Sequence, residues 1–182
     1  MTVAEAQQDM RRAYYSGAPG VAASATVWLA AGLTAVLSGS QAAVWALLGG
    51  GMLIHPMAIA LSKVLGRSGS PDQSNPLGPL ALEGTVWLLL TLAVVYALSL
   101  YRVDLFFPAL LLMIGGRYLT FQTLYGIRAY WHSGVVLAAT GVALAVVGAP
   151  VYVGAFTGAV VEGGIAAVVF TRAANLHPEG LV

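Results

Sequence analysis

His55, Glu83, Arg117 and Glu162 are ionisable side chains that fall inside long apolar stretches of this chain. A charge near the centre of a bilayer costs about 3 kcal/mol or more unless it is paired or wetted, so such residues mark either a structural ion pair or a functional site. Counted from the basic residues that close their stretches at Lys63, Arg128 and Arg172, three of them (His55, Arg117 and Glu162) lie eight to eleven residues deep. Glu83 is nearer its end. A guanidinium cannot shed its charge to escape a low dielectric, and its planar fork suits bidentate pairing with carboxylates. Arg117 is therefore expected to meet Glu162, Glu83 or both. Tyr118, Gln122 and Tyr125 follow at spacings of four and three, making a polar stripe beside it, with Thr120 on the Arg117 side.

Two arrangements fit this set. In one, the charges form an ion pair that fixes helix register, and His55 donates to a backbone carbonyl. In the other, they line a water-filled pocket open to the cytoplasm, whose aromatic and amide wall suits a small polar or amphipathic ligand. The second is favoured by two acids standing against one certain base, and by an expected helix break. Pro56 lacks a backbone donor and clashes with the carbonyl of Met52, while Gly49, Gly50 and Gly51 weaken the same turns. A kink or local unwinding between Gly49 and Pro56 is the expectation, with Gly50, Gly51 and Pro56 as its residues. Irregular backbone at that depth is tolerated where protein or a wet cavity satisfies it.

The elements that must position these residues are membrane spans. Of 182 residues, 59% are apolar and 8% charged, against about a quarter charged in ordinary soluble domains, and the mean hydropathy is +0.84. Six apolar runs stand near 21–38, 42–62, 80–101, 105–127, 133–149 and 152–172. They leave no room for a separate soluble domain, so 1–182 reads as one all-α integral membrane domain. Residues 66–79, rich in glycine, proline and serine, form the one substantial loop. Residues 3–15 read either as a short interfacial helix with Val3, Met10 and Tyr14 toward lipid headgroups or as an irregular tail.

Short connections at Gly39–Gln41 and Pro150 predict antiparallel hairpins, three in all. Thr26-Val27-Trp28-Leu29 recurs as Thr85-Val86-Trp87-Leu88, each followed one helix later by a glycine cluster, which fits a threefold two-helix repeat; chance recurrence is the rival reading. Gly134, Ala138, Gly141, Ala145 and Gly148 make one small-residue stripe, for packing within the chain or between subunits of a homo-oligomer. Gly154 and Gly158 share a face with Glu162, which should point into protein. Trp28 and Trp87 are expected to pack, and Tyr125, Tyr130 and Trp131 to sit in an interfacial aromatic belt. With the amino terminus cytoplasmic, the inside carries Arg11, Arg12, Lys63, Arg67, Arg128 and Arg172, and the outside only Arg102, so both termini are expected in the cytoplasm.

At Gly115-Gly116-Arg117-Tyr118-Leu119-Thr120-Phe121-Gln122-Thr123-Leu124-Tyr125-Gly126, together with Asn75-Pro76-Leu77 and Trp28, the chain resembles an uncharacterised family of small bacterial multi-pass membrane proteins. Gly115, Tyr118 and Phe121 match a Gly-x-x-Tyr-x-x-Phe pattern, and the likeness spans most of the chain. It implies a helical fold in a bacterial inner membrane and nothing catalytic.

Three functions remain: a transporter or small-ligand binding protein using Glu83, Arg117, Glu162 and His55, with proton coupling through a buried carboxyl group; a structural or regulatory membrane subunit; and an enzyme acting on a lipid or membrane-embedded substrate. The enzyme is the weakest. No helix pairs metal ligands at four-residue spacing, no phosphate loop is present, and His55 lacks a nearby Ser and Asp arrangement. Without cysteine there are no disulfides, thiolate nucleophiles or zinc ribbons, and a net charge of +1 supplies no basic field for nucleic acid. Lys63 at a helix end excludes a retinal site, a single intramembrane histidine disfavours bis-histidine haem, and one arginine makes no voltage sensor. No catalytic residue, metal ligand or cofactor is assigned.

Overall fold

The computed structural model describes residues 1–176, and those residues are helical apart from turns and loops, with no strand among them. The carboxyl terminus, expected in the cytoplasm, lies outside the described residues. Helix α1 runs Val3–Tyr14, α2 Ala18–Ser38, α3 Ser40–Val64, α4 Gly78–Tyr101, α5 Phe106–Tyr125, α6 Ala129–Val146 and α7 Val151–Leu176. Six stretches are long and apolar enough to cross a membrane, the first of them α1 and α2 together, and the protein is an all-α membrane protein.

Local chemistry sets the ends. Thr2 and Glu5 form a reciprocal capping box at the start of α1, and Arg11 and Arg12 sit in its last turn, where cations oppose the helix dipole. Prolines occupy the first turns of α2 and α4, where a missing N–H costs nothing. Between α1 and α2 the chain turns through three residues of positive φ, Tyr15 (47°), Ser16 (58°) and Gly17 (84°). Only glycine fits the third: a Cβ there would lie 2.6 Å from the Tyr130 hydroxyl.

Helix pairs meet over small residues, as expected where lipid removes the hydrophobic drive for association. In the closest pairs, α2 packs on α3 and on α7, and α5 packs on α6. Trp28 of α2, 1% exposed, packs against Gly158 of α7, and Phe156 of α7 fills the space at Gly32 of α2, so each helix inserts an aromatic ring where the other has no side chain. The α5–α6 contact is backbone on backbone. A Cβ on Gly115 would come within 2.7 Å of the Gly134 carbonyl oxygen, and one on Gly141 within 2.5 Å of the Pro108 carbonyl oxygen. The α6 stripe thus packs inside the chain at Gly134 and Gly141, while Gly148 only turns the chain after α6, at φ 62°. Helices α4 with α5 and α6 with α7 touch less extensively than α2 with α7.

Residues 1–17, 66–77, 126–129 and the end of α7 gather at one end of the bundle. Gln7 Nε2 donates to the Thr123 carbonyl at 2.8 Å and Arg11 Nη1 to that of Tyr125, satisfying carbonyls the last turn of α5 leaves free. The loop is laid on α1: Asn75 Nδ2 donates to the Ala6 carbonyl (3.0 Å) and to Asp9 (2.7 Å), and the Gly69 N–H to the Ala13 carbonyl (3.0 Å). Within the loop the hydroxyl and backbone N–H of Ser74 both donate to Asp72, holding that carboxyl below its usual range. The N-terminal segment is therefore helical, but Met10, 1% exposed, packs on protein and only Val3 of the expected headgroup residues is exposed.

Of the kink or local unwinding expected between Gly49 and Pro56, the unwinding is absent: helix α3 continues without interruption from Ser40 to Val64, with Gly50, Gly51 and Pro56 all inside it. A proline forfeits one backbone hydrogen bond, and the regular turns on either side carry the helix through. Gly50 is needed for contact, since a Cβ there would lie 2.7 Å from Val27 of α2.

Candidate functional site

Glu162 sits midway along α7 and has no exposed surface. The glycines four and eight residues before it, Gly158 and Gly154, receive Trp28 and Phe107, which brings that face of α7 against α2 and α5. One carboxylate oxygen, Oε2, accepts a hydrogen bond of 2.7 Å from the hydroxyl of Tyr118, itself only 4% exposed on α5. Ser24 of α2 lies beside the same carboxylate. The other oxygen, Oε1, is buried without a hydrogen-bond partner among the described residues. A carboxyl group at mid-span is thus gripped at one oxygen and open at the other, in a setting of hydroxyls.

Below it, toward the α1 end, the walls are aromatic. Tyr130 is fully buried, stacks obliquely on Tyr118 with ring centroids 5.7 Å apart, and donates its hydroxyl to the Ser16 carbonyl at 2.6 Å. Phe121 and Tyr125 complete the cluster, each with its ring centroid within 6 Å of that of Tyr130. The rings join the carboxylate layer to the turn between α1 and α2. Tyr125 and Tyr130 are core residues and not belt residues; Trp131, 51% exposed, does suit a belt.

Arg117 is elsewhere. Successive residues on a helix are rotated by about 100°, so with Tyr118 facing α7, Arg117 faces α4. Its Nη2 donates to Thr85 Oγ1 at 3.2 Å, and its guanidinium carbon lies 5.3 Å from the centroid of the Phe121 ring. The expected Arg117 pairing with Glu162 or Glu83 is not made: the ion pair found among the described residues is Arg102 with Asp104, at 2.6 Å. His55 and Glu83 are exposed on the outer faces of α3 and α4 and do not join the carboxylate, and Gln122 is half-buried one turn past Tyr118. The four ionisable residues therefore line no common pocket. A groove of about 570 Å³ does lie between α5 and α6, walled by residues such as Leu112, Gly116, Leu119 and Val142, but it is apolar and contains none of the four.

Reading by charge missed Tyr130, Ser24 and Ser16 because a neutral hydroxyl gives no hydropathy signal. The positive-φ turn that seats Ser16 under Tyr130 left only one trace in the sequence, Gly17.

No His, Cys, Asp and Glu group able to hold a metal ion occurs among the described residues. Residues 3–172 match a family of unknown function, DUF7010, and the chain belongs to that family. No curated protein and no solved structure matches it.

Proposed function

We propose that this member of DUF7010 is a membrane transporter or binding protein for a proton or another small monovalent cation, and that Glu162 is the group that binds it. The observation that carries the reading is the buried carboxylate with Oε2 held by Tyr118 and Oε1 unpartnered among the described residues. Buried polar atoms in proteins are nearly always satisfied, and an intramembrane carboxyl left half-satisfied is a functional site by default. Its surroundings select the ligand. Carboxylate and hydroxyl oxygens accept from cations and protons, and no basic side chain among the described residues pairs with Glu162, so anions are disfavoured. Four oxygens at most, from Glu162, Tyr118 and Ser24, are too few for calcium, which takes six to eight, and complete burial leaves no space for an organic cation.

Orientation follows from charge. Arg11, Arg12, Lys63, Arg67, Arg128 and Arg172 belong to the α1 end and Arg102 to the other, which supports a bacterial inner-membrane protein with α1 facing the cytoplasm. The aromatic cluster under α1 then lies between the cytoplasm and Glu162.

A structural subunit is the second reading, because the Tyr118–Glu162 bond ties α5 to α7, which otherwise touch little. The two separate in one experiment. Thermal midpoints of the purified protein in detergent are measured across pH and in sodium or potassium chloride of matched ionic strength, for wild type and Glu162→Gln. The amide of glutamine still accepts from Tyr118, so a structural tie survives. The binding reading expects a pH- or cation-dependent midpoint that the variant lacks; identical profiles for both proteins favour the structural subunit.

A further inference from the structure

Arg117 is the basic residue deep within the spans, eight residues before the end of α5 at Tyr125, or about 12 Å at helical rise. It has no acidic partner among the described residues, and its Nε is buried without an acceptor. A guanidinium in hydrocarbon requires a counter-charge, water or carbonyl groups, and one threonine oxygen at 3.2 Å is a thin complement for five N–H donors. The guanidinium lies over the Phe121 ring and reaches Thr85, seven residues from the start of α4 at Gly78, so the site stands in the half of both helices nearer the α1 end. From there the long side chain of an arginine is within reach of the membrane interface.

From these observations we infer that Arg117, with Thr85 beside it, binds the phosphate of an anionic phospholipid in the leaflet on the α1 side. Thr85 spends its own hydroxyl proton on the Ala81 carbonyl at 3.0 Å, so its oxygen fixes the guanidinium as an acceptor and leaves the remaining donors free. A free phosphate ion shares the headgroup chemistry, but a guanidinium within a span meets first the phosphate that the surrounding lipid already carries. Glu83 does not oppose the site: two residues from Thr85 it is rotated by about 200°, on the far side of α4.

The test exchanges purified protein into detergent micelles with equal amounts of phosphatidylglycerol and phosphatidylcholine and counts retained lipids by mass spectrometry. Wild type is expected to retain phosphatidylglycerol in excess. Arg117→Gln reduces that ratio roughly tenfold, the worth of about one charge-assisted hydrogen bond; Arg117→Lys keeps part of it, Thr85→Val lowers it, and Glu83→Gln leaves it unchanged. A second arm adds inorganic phosphate. If phosphate fails to displace phosphatidylglycerol, the lipid is the ligand; if it displaces the lipid and raises the thermal midpoint of lipid-free wild type but not of Arg117→Gln, the site takes free phosphate and the lipid assignment is overturned. An equal lipid ratio in wild type, Arg117→Gln and Thr85→Val overturns the site altogether, as does a change of oligomeric state on Arg117→Gln with no change in lipid ratio, which would give the arginine to a second copy.

Discussion

The hydroxyl of Tyr118 and the carboxylate of Glu162 stand 2.7 Å apart, one on α5 and one on α7, both buried. This bond joins the α2–α3–α7 cluster to the α5–α6 pair across helices that share little other contact. Replacing Tyr118 by Phe keeps the ring and removes the donor, leaving both Glu162 oxygens dependent on Ser24 or on a proton. The expected loss is about 1–3 kcal/mol by reversible unfolding in detergent. In a cycle with Glu162→Gln the two changes should be non-additive by a similar amount; strict additivity would mean that the contact carries no energy.

Gly158 should tolerate no side chain. A Cβ there would overlap the six-membered ring of Trp28, which is itself pinned edge-on by Phe107 at 5.5 Å. Gly158→Ala is expected to cost about 1–3 kcal/mol, the usual penalty of overpacking. Gly163→Ala, with open space around it, should be neutral or stabilising by up to about 1 kcal/mol through helix propensity. Equal effects at the two glycines would count against the α2–α7 packing.

Helix α1 is held by polar bonds that can be cut without touching the core. Gln7→Ala with Arg11→Ala removes the donors to the Thr123 and Tyr125 carbonyls. Amide exchange over residues 3–14 should then rise, while the interior of α5 and α6 stays protected. Unchanged protection of α1 would show that Met10, Ala6 and the Asn75 contacts suffice to seat it.

Topology is checked by reporter fusions. With six crossings and α1 in the cytoplasm, a fusion at Ser70 should read as cytoplasmic and one at Val103 as external. The reverse pattern would invert the orientation and place the aromatic cluster on the outside.

The six helices of membrane-span length were legible because length and hydropathy alone mark such a helix, and the inward face of Glu162 because Gly154 and Gly158 share it. The partner of Arg117 was not. Depth along the membrane normal can be counted from the sequence, but the rotation of each helix cannot, and 100° between Arg117 and Tyr118 decided which of them met the carboxylate. Pro56 and three glycines signalled a local unwinding that the regular turns around them absorbed. The docking of α1 depended on Asn75 and Gln7, polar residues whose partners are backbone carbonyls and therefore leave no pattern in side-chain chemistry.

The central claim, that the Glu162 carboxyl group binds a proton or a small monovalent cation, is tested most directly by infrared difference spectroscopy of the reconstituted protein. Spectra are recorded on a pH step and on exchange of sodium or potassium for a bulky organic cation. Wild type should show a carboxyl or carboxylate band that responds to one of these changes and is missing in Glu162→Gln, with the band shifted in Tyr118→Phe because its hydrogen-bond donor is gone. Difference spectra that superimpose for wild type and Glu162→Gln under every condition would contradict the account.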